Sequence, residues 1–312
     1  MTDQNSFLIE IGTEELPPKS LRRLADAFAK HLAEQLLAAQ LIENQQQARW
    51  FAAPRRLAVQ IDQLAVAQQS RMVERRGPAL TAAWDEDGNP TRATLGFCRS
   101  CGVEPTALET MRTDKGEWLV YRALQEGATA AELLPAMVAS SLQRLPIDRR
   151  MRWGSGDGEF VRPVHWIVAL LGTEVVDIEL FGVHSGRNSR GHRFHANREI
   201  ELTSADAYLD SLESAHVIAD YERRRELIVD QLQQQATEAG GSVVIPAELL
   251  EEVTSLVEWP NAVVGQFDQR FLQVPAEALV ASMGDHQKYF HLLDEQGELR
   301  PNFITVANID LP

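Results

Sequence analysis

The ten residues GRNSRGHRFH, positions 186–195, carry Arg187, Arg190, His192, Arg193 and His195 and not one acid. Arginine suits phosphate because its planar fork presents paired donors to two oxygens at once. Gly186 and Gly191 let main-chain amides approach an anion. His192, His195 and Phe194 add the hydrogen-bonding and stacking surfaces used on unpaired RNA. The chemistry on offer is anion binding. The same composition also fits an internal role, in which the arginines pair with the acidic region that follows.

The charge distribution frames that choice. The 312-residue chain has a formal net charge of −15, yet residues 1–198 hold 24 acids and 24 bases, whereas 199–312 hold 21 acids and 6 bases. The basic loop lies where neutrality ends. An acidic total does not exclude an anionic partner, because binding answers to the local field.

Other groups able to do chemistry are sparser. Four of the eight histidines (His165, His184, His192, His195) fall within 31 residues, and His192-x-x-His195 has a spacing that brings two imidazoles near one metal. Zinc takes three or four ligands and the neighbouring arginines repel a cation, so a polar surface or pocket is the preferred reading and no metal is expected. Cys98-Arg-Ser-Cys101 has the spacing of a redox pair or half a zinc site; with no second pair, a structural role is expected. Glu14-Glu15 and Glu251-Glu252 read as a turn and a solvated helix face rather than acid–base couples. Gly154, Gly156 and Gly158 lack the spacing of a dinucleotide loop, and neither a phosphate loop nor a metalloprotease or hydrolase motif occurs. No nucleotide site and no catalytic residue are assigned.

The stretch MGDHQKYFHL, 283–292, reads as a strand that alternates His286 and Lys288 on one face with Tyr289 and His291 on the other. With Arg162 and His165, these two residues are candidates for contact with RNA or a partner; a half-buried strand with a basic exposed face is the alternative.

The elements that position these groups follow from hydrophobic spacing. FLIEIG, 7–12, reads as a buried strand, and Pro17-Pro18 open a helix with Leu21, Leu24, Ala25, Phe28, Leu32 and Leu36 on one face. RRLAVQI, 55–61, and EWLVYRAL, 117–124, read as strands. Thr129 and Glu132 form a capping box before a helix whose start Pro135 is expected to delay. VRPVHWIVALLG and EVVDIELFGV form a hairpin across Gly172-Thr173, a helix runs from about 218 to 239, and the tail is a second hairpin turning at Glu295 to Gly297. Hairpins outnumber strand–helix–strand units, which predicts an α/β (α+β type) fold of mixed, largely antiparallel sheets flanked by helices. Length predicts about two domains. They are placed at 1–150 and 151–312, the second containing the basic loop, with one compact unit as the alternative. There is no basic leader and no apolar run of about 20 residues, so a soluble, cytoplasmic protein with no membrane association is expected. The two cysteines agree with a reducing compartment. The strand signal FITVANI, with almost nothing after it, suggests a fragment of a longer protein.

FLIEIGTEELPP, MRWGSGDGEFVRPVHWIVALLG, SGRNSRGHRFH, MGDHQKYFHL and PNFITVANI, in that order, resemble the β subunit of the bacterial heterotetrameric glycyl-tRNA synthetase. The resemblance covers essentially the whole chain. It implies a ligase subunit that, with an α subunit in an α2β2 tetramer, charges tRNA(Gly) with glycine. ATP and magnesium are then expected at the α subunit and no cofactor here. It also implies missing downstream parts: an HD-type domain, a helical body and tail, and an anticodon-binding domain. The family's N-terminal part is similar to the editing-type domain of the phenylalanyl synthetase β subunit. That raises a second function, a hydrolase-like pocket of His165, His192, His195 and His286 acting on mischarged tRNA, beside the favoured non-catalytic role in tRNA recognition and α-subunit docking.

Overall fold

The computed structural model describes residues 3–114 and 116–310. They divide into two compact units: Asp3–Val66 with residues 130–310, and the inserted segment Ala67–Thr129.

The larger unit is organised by a seven-stranded sheet in the order Glu179–Leu180, Val183–Gly186, Val164–Leu171, Gln4–Thr13, Arg56–Ala65, Ala48–Ala53, with Glu174–Val175 also pairing on Val164–Leu171. All pairings are antiparallel except that of Val183–Gly186 with Val164–Leu171. FLIEIG is nearly all apolar because both faces of this central strand are covered. Phe7, Ile9 and Ile11 meet the helices Pro18–Ala38 and Ala130–Gln143 in one core. Leu8 packs on the other face with Val168, Leu170, Tyr208 and Leu212. Glu10 shares that second face and is fully buried.

The helix after Pro17 buries the six positions expected of it. The next one begins at Ala130 and keeps Pro135 inside, so its start is not delayed. Burial of Leu134, Val138 and Leu142 against the sheet offsets the one hydrogen bond that proline removes. The hairpin expected at Gly172 is present, with that glycine at φ 61°.

The rest of the larger unit carries an antiparallel four-stranded sheet, Ser242–Val243, Phe290–Leu293, Leu299–Ala307, Asn261–Gln266. Helices Tyr221–Glu238 and Ala247–Leu256 cover it through Ile228, Leu232, Leu250, Val253, Phe290 and Ile304. Arg224 on the first of these helices is fully buried and has no carboxylate partner among the described residues. It donates instead to the carbonyls of Ile218, Ala52 (2.8 Å) and Thr254 (3.1 Å), and burial lowers its pKa to about 10.

A second expectation is corrected. MGDHQKYFHL is not a strand throughout: Ser282–His286 forms a π-helical turn, Lys288 takes a left-handed φ of 59°, and the strand begins only at Phe290. Main-chain bonds from Gln287 to Ser282 and from Tyr289 to Met283 close the turn, so simple alternation of faces does not apply across it.

The inserted unit is an antiparallel sheet, Arg71–Ala79, Gly116–Gln125, Glu109–Thr113, with the helix Arg92–Cys101. A bridge between Ala67 and Thr129 closes its base. Cys98 and Cys101 both lie on that helix and are free, and burial pushes the Cys98 thiol up, away from thiolate chemistry. Residue 150 falls inside the larger unit, where Gln4–Thr13 and Val164–Leu171, on either side of it in sequence, are neighbouring strands. The fold is thus mixed α/β with mostly antiparallel sheets flanked by helices.

A Cβ on Gly12 would lie 1.9 Å from Cε2 of Trp166, so Gly12→Ala must displace that indole. Overpacking of this kind costs typically about 1–3 kcal/mol, and in a unit this size each kcal/mol lowers Tm by roughly 2–4 °C. Thermal unfolding followed by circular dichroism checks this; an unchanged Tm contradicts the packing described.

Candidate functional site

The basic loop stands on a buried polar network. Glu10 Oε1 accepts from Trp166 Nε1 at 2.5 Å and Ser189 Oγ at 2.6 Å, and Oε2 accepts from Tyr208 Oη at 2.5 Å and Arg56 at 3.2 Å. The same Arg56 reaches Glu258 at 3.4 Å, and Arg55 binds that carboxylate at 3.0 Å. Burial opposes ionisation of Glu258, yet Arg56 and Arg55 hold its carboxyl below the ordinary range. Burial likewise opposes charge on Arg56, and Glu10 and Glu258 outweigh it and raise its pKa. The Tyr208 hydroxyl is pushed well up by burial and by Glu10, so it stays protonated as a donor.

From this network the two arginines reach the loop's main chain. Arg56 donates to Arg190 O at 2.8 Å and to Ser189 Oγ at 3.0 Å, and Arg55 donates to Gly191 O at 2.9 Å. Residues Asn188–Arg190 pair with Glu199–Glu201 as a short ribbon. At Gly191 a Cβ would come within 2.4 Å of Ala196 O, so glycine is needed for the chain to double back.

The nine predicted residues fall into three groups. Arg162, His165 and Arg193 converge on the turn Glu14-Glu15. Arg162 Nε donates to Glu15 O (3.0 Å), His165 Nε2 pairs with Glu14 (3.0 Å), and Arg193 spans Glu14 (3.3 Å) and Glu15 (3.5 Å). Arg187, Arg190, His192 and His195 shape the loop itself. Arg187, half-buried, donates to the carbonyls of Thr173 (3.1 Å) and Leu202 (3.4 Å). The exposed Arg190 guanidinium lies over the Trp166 ring at 5.2 Å and has no carboxylate partner among the described residues. His286 and Lys288 stand apart: His286 is exposed in the π-helical turn, and Lys288 pairs with Glu252 at 3.0 Å. Among the described residues no hydrogen bond or ion pair joins either of them to the loop.

His192 is fully buried, and its Nδ1 accepts from the amides of Phe194 (3.3 Å) and His195 (3.2 Å). His195 Nε2 accepts from the Asp310 amide at 2.9 Å, and its ring stacks on His192 at 4.9 Å. Imidazole nitrogens that accept from amides are unprotonated, and burial lowers the His192 pKa further. These two rings brace a loop; their accepting nitrogens are occupied and do not present a free base. No cluster of three or more potential metal ligands occurs among the described residues.

The arginines of the network, Arg55 and Arg56, and its acids, Glu10 and Glu258, were not singled out by sequence reasoning. The available signal was Glu10 itself, one acid inside the apolar run FLIEIG.

Comparison places the chain first among aminoacyl-tRNA synthetase subunits: the family model described as glycyl-tRNA synthetase beta subunit matches residues 7–311. The chain belongs to that family. It is 52% identical over 309 residues to the glycine–tRNA ligase beta subunit of Hahella chejuensis, covering 99% of this chain and 44% of that protein. The protein of the same name from Edwardsiella ictaluri is 52% identical over 98% of this chain, and that from Marinobacter nauticus 50% over 97%. The chain spans less than half the length of these relatives, 44% of each. No helix of the described residues is long and apolar enough to cross a membrane.

Acid should release the structure in two stages. His192, with its pKa lowered from 6.5, stays neutral in the fold while the unfolded chain takes up a proton, so its share of stability is complete above pH 6.5 and declines below it. Glu258, lowered from 4.5, adds a second decline as pH falls below that value. In urea unfolding against pH, His192→Asn is expected to flatten the first limb and Glu258→Gln the second. Superimposable limbs in wild type and variants would remove both assignments. Arg56→Ala, which takes the cation from buried Glu10 and leaves Glu258 with Arg55 alone, is expected to cost about 3–5 kcal/mol by the same assay.

Proposed function

We propose that the chain is a non-catalytic part of a glycine–tRNA ligase β subunit, and that its loop 186–195 contacts tRNA phosphate during ATP-dependent charging of tRNA(Gly). The observation that carries this reading is how the loop is held. Arg56 and Arg55, held by Glu10 and Glu258, fix its main chain from below through the carbonyls of Arg190 and Gly191, so that of its own guanidinium groups only Arg187 is spent on main-chain carbonyls. Arg190 and Arg193 remain exposed and Arg187 half-exposed. A preorganised loop of arginines binds anions without the entropic cost of ordering itself.

On this reading the partner is the synthetase α subunit in an α2β2 tetramer, the compartment is the cytoplasm, and ATP and magnesium bind at the α subunit. Arg162, His165, His286 and Lys288 are further candidates for contact with tRNA or that partner. The editing-like pocket of His165, His192, His195 and His286 is the weaker reading, because His286 lies in a separate turn and His192 is consumed in bracing the loop.

Replacing Arg187, Arg190 and Arg193 by alanine is expected to weaken tRNA binding across tRNA sequences and to reduce the log–log salt slope by roughly one unit per lost phosphate contact. Fluorescence anisotropy over a salt series measures both. Unchanged affinity together with a lowered Tm would make the loop internal scaffolding. In calorimetry the chain alone is expected to give no stoichiometric heat with magnesium-ATP.

A further inference from the structure

Phe194 is 75% exposed, more than any other large apolar side chain described. Exposure of one apolar residue is ordinary in itself. What sets Phe194 apart is the backbone under it. The His192 imidazole accepts both its amide and that of His195, Ala196 N donates back to His192 O at 3.0 Å, and His192 N is tied to Ala215 O at 3.0 Å. His195 is held in turn by the Asp310 amide. A hydrogen-bonded turn braced on the buried His192 ring thus presents an aromatic side chain to solvent from a backbone with little freedom left to lose on binding.

The surroundings say what the ring is presented to. The contacts of the turn bring one other exposed large apolar side chain beside it, Ile309, next to the Asp310 whose amide donates to His195, fewer than the apolar core of a protein interface gathers. Its chain neighbours include Arg193, which pairs with Glu14 and Glu15, and the exposed Arg198, which like Arg190 on the same loop has no carboxylate partner among the described residues. An exposed aromatic ring beside unpaired arginines matches a ligand that is polyanionic along its backbone and flat in its side groups. Nucleic acid with unpaired bases has both properties, whereas paired bases are hidden in the helix.

We propose that Phe194 is a stacking platform for an unpaired nucleotide of RNA whose phosphates lie along Arg190 and Arg193. The proposal rests on the tRNA reading above and adds to it a preference for single-stranded over duplex segments. Stacking is indifferent to base identity, so the contact selects for an unpaired base without selecting its sequence.

The test compares a short single-stranded RNA with a blunt duplex of the same length, by anisotropy at fixed salt, using the chain with Phe194→Ala, Phe194→Trp and the triple arginine variant. Phe194→Ala is expected to weaken single-strand binding about tenfold while leaving duplex affinity and the salt slope unchanged; Phe194→Trp retains wild-type affinity. Equal single-strand affinity in Phe194→Ala and wild type, or an equal loss on duplex, overturns the proposal. So does a loss confined to capture of the α subunit, which would make the ring a protein contact. If the arginine variant itself binds RNA normally, the tRNA reading fails first; if it loses binding and Phe194→Ala does not, only the stacking role fails.

Discussion

Two buried carboxylates and one buried guanidinium organise the larger unit. Arg56 bridges Glu10 on the central strand and Glu258 beyond the helix Ala247–Leu256, with all three at 1% exposure or less. Taking such charges out of water is expensive, and the cost is offset by the partners their oxygens and nitrogens find; Arg56 Nε is buried without one among the described residues. Glu10 finds four. The requirement fixes Trp166, Ser189 and Tyr208 as well as both arginines, because each must stand where a donor is needed. Surface loop, sheet and C-terminal segment are therefore coupled through one set of polar contacts that tolerates little displacement.

Arg224 performs a related task with different chemistry. Caged by the carbonyls of Ala52, Ile218 and Thr254, it satisfies main-chain acceptors at the sheet's edge strand and beside two helices. A cation coordinated by dipoles rather than by an opposite charge pins backbone to backbone. That suits a junction between elements whose side chains already belong to separate apolar cores.

Most strands and helices were legible in the sequence because their burial leaves either a periodic or an unbroken apolar pattern. FLIEIG, the helix after Pro17 and the two hairpins with Gly172 and Gly297 at their turns are of this kind. The basic loop was legible by composition. Its support was not: Arg55, Arg56 and Glu258 are distant in sequence from residues 189–191, and charged side chains read as surface until a fold brings them together. The stretch 283–292 misled for a local reason, since a π-helical turn followed by a left-handed lysine has no periodic signature. The expected partners of the arginines illustrate the same limit. Arg193 meets acids, but at Glu14 and Glu15 rather than in the acidic region after residue 199.

The bridge between Ala67 and Thr129 has a topological consequence. Directly below it, Ala130 N donates to Val66 O at 2.8 Å, so the chain leaves the larger unit and re-enters it at adjacent residues. The 63 residues in between form a closed excursion that interrupts no strand of the seven-stranded sheet. Excising them and joining 66 to 130 through a short turn removes a compact unit without cutting a strand of that sheet, which makes this the natural splice point for grafting a reporter or another module into the chain.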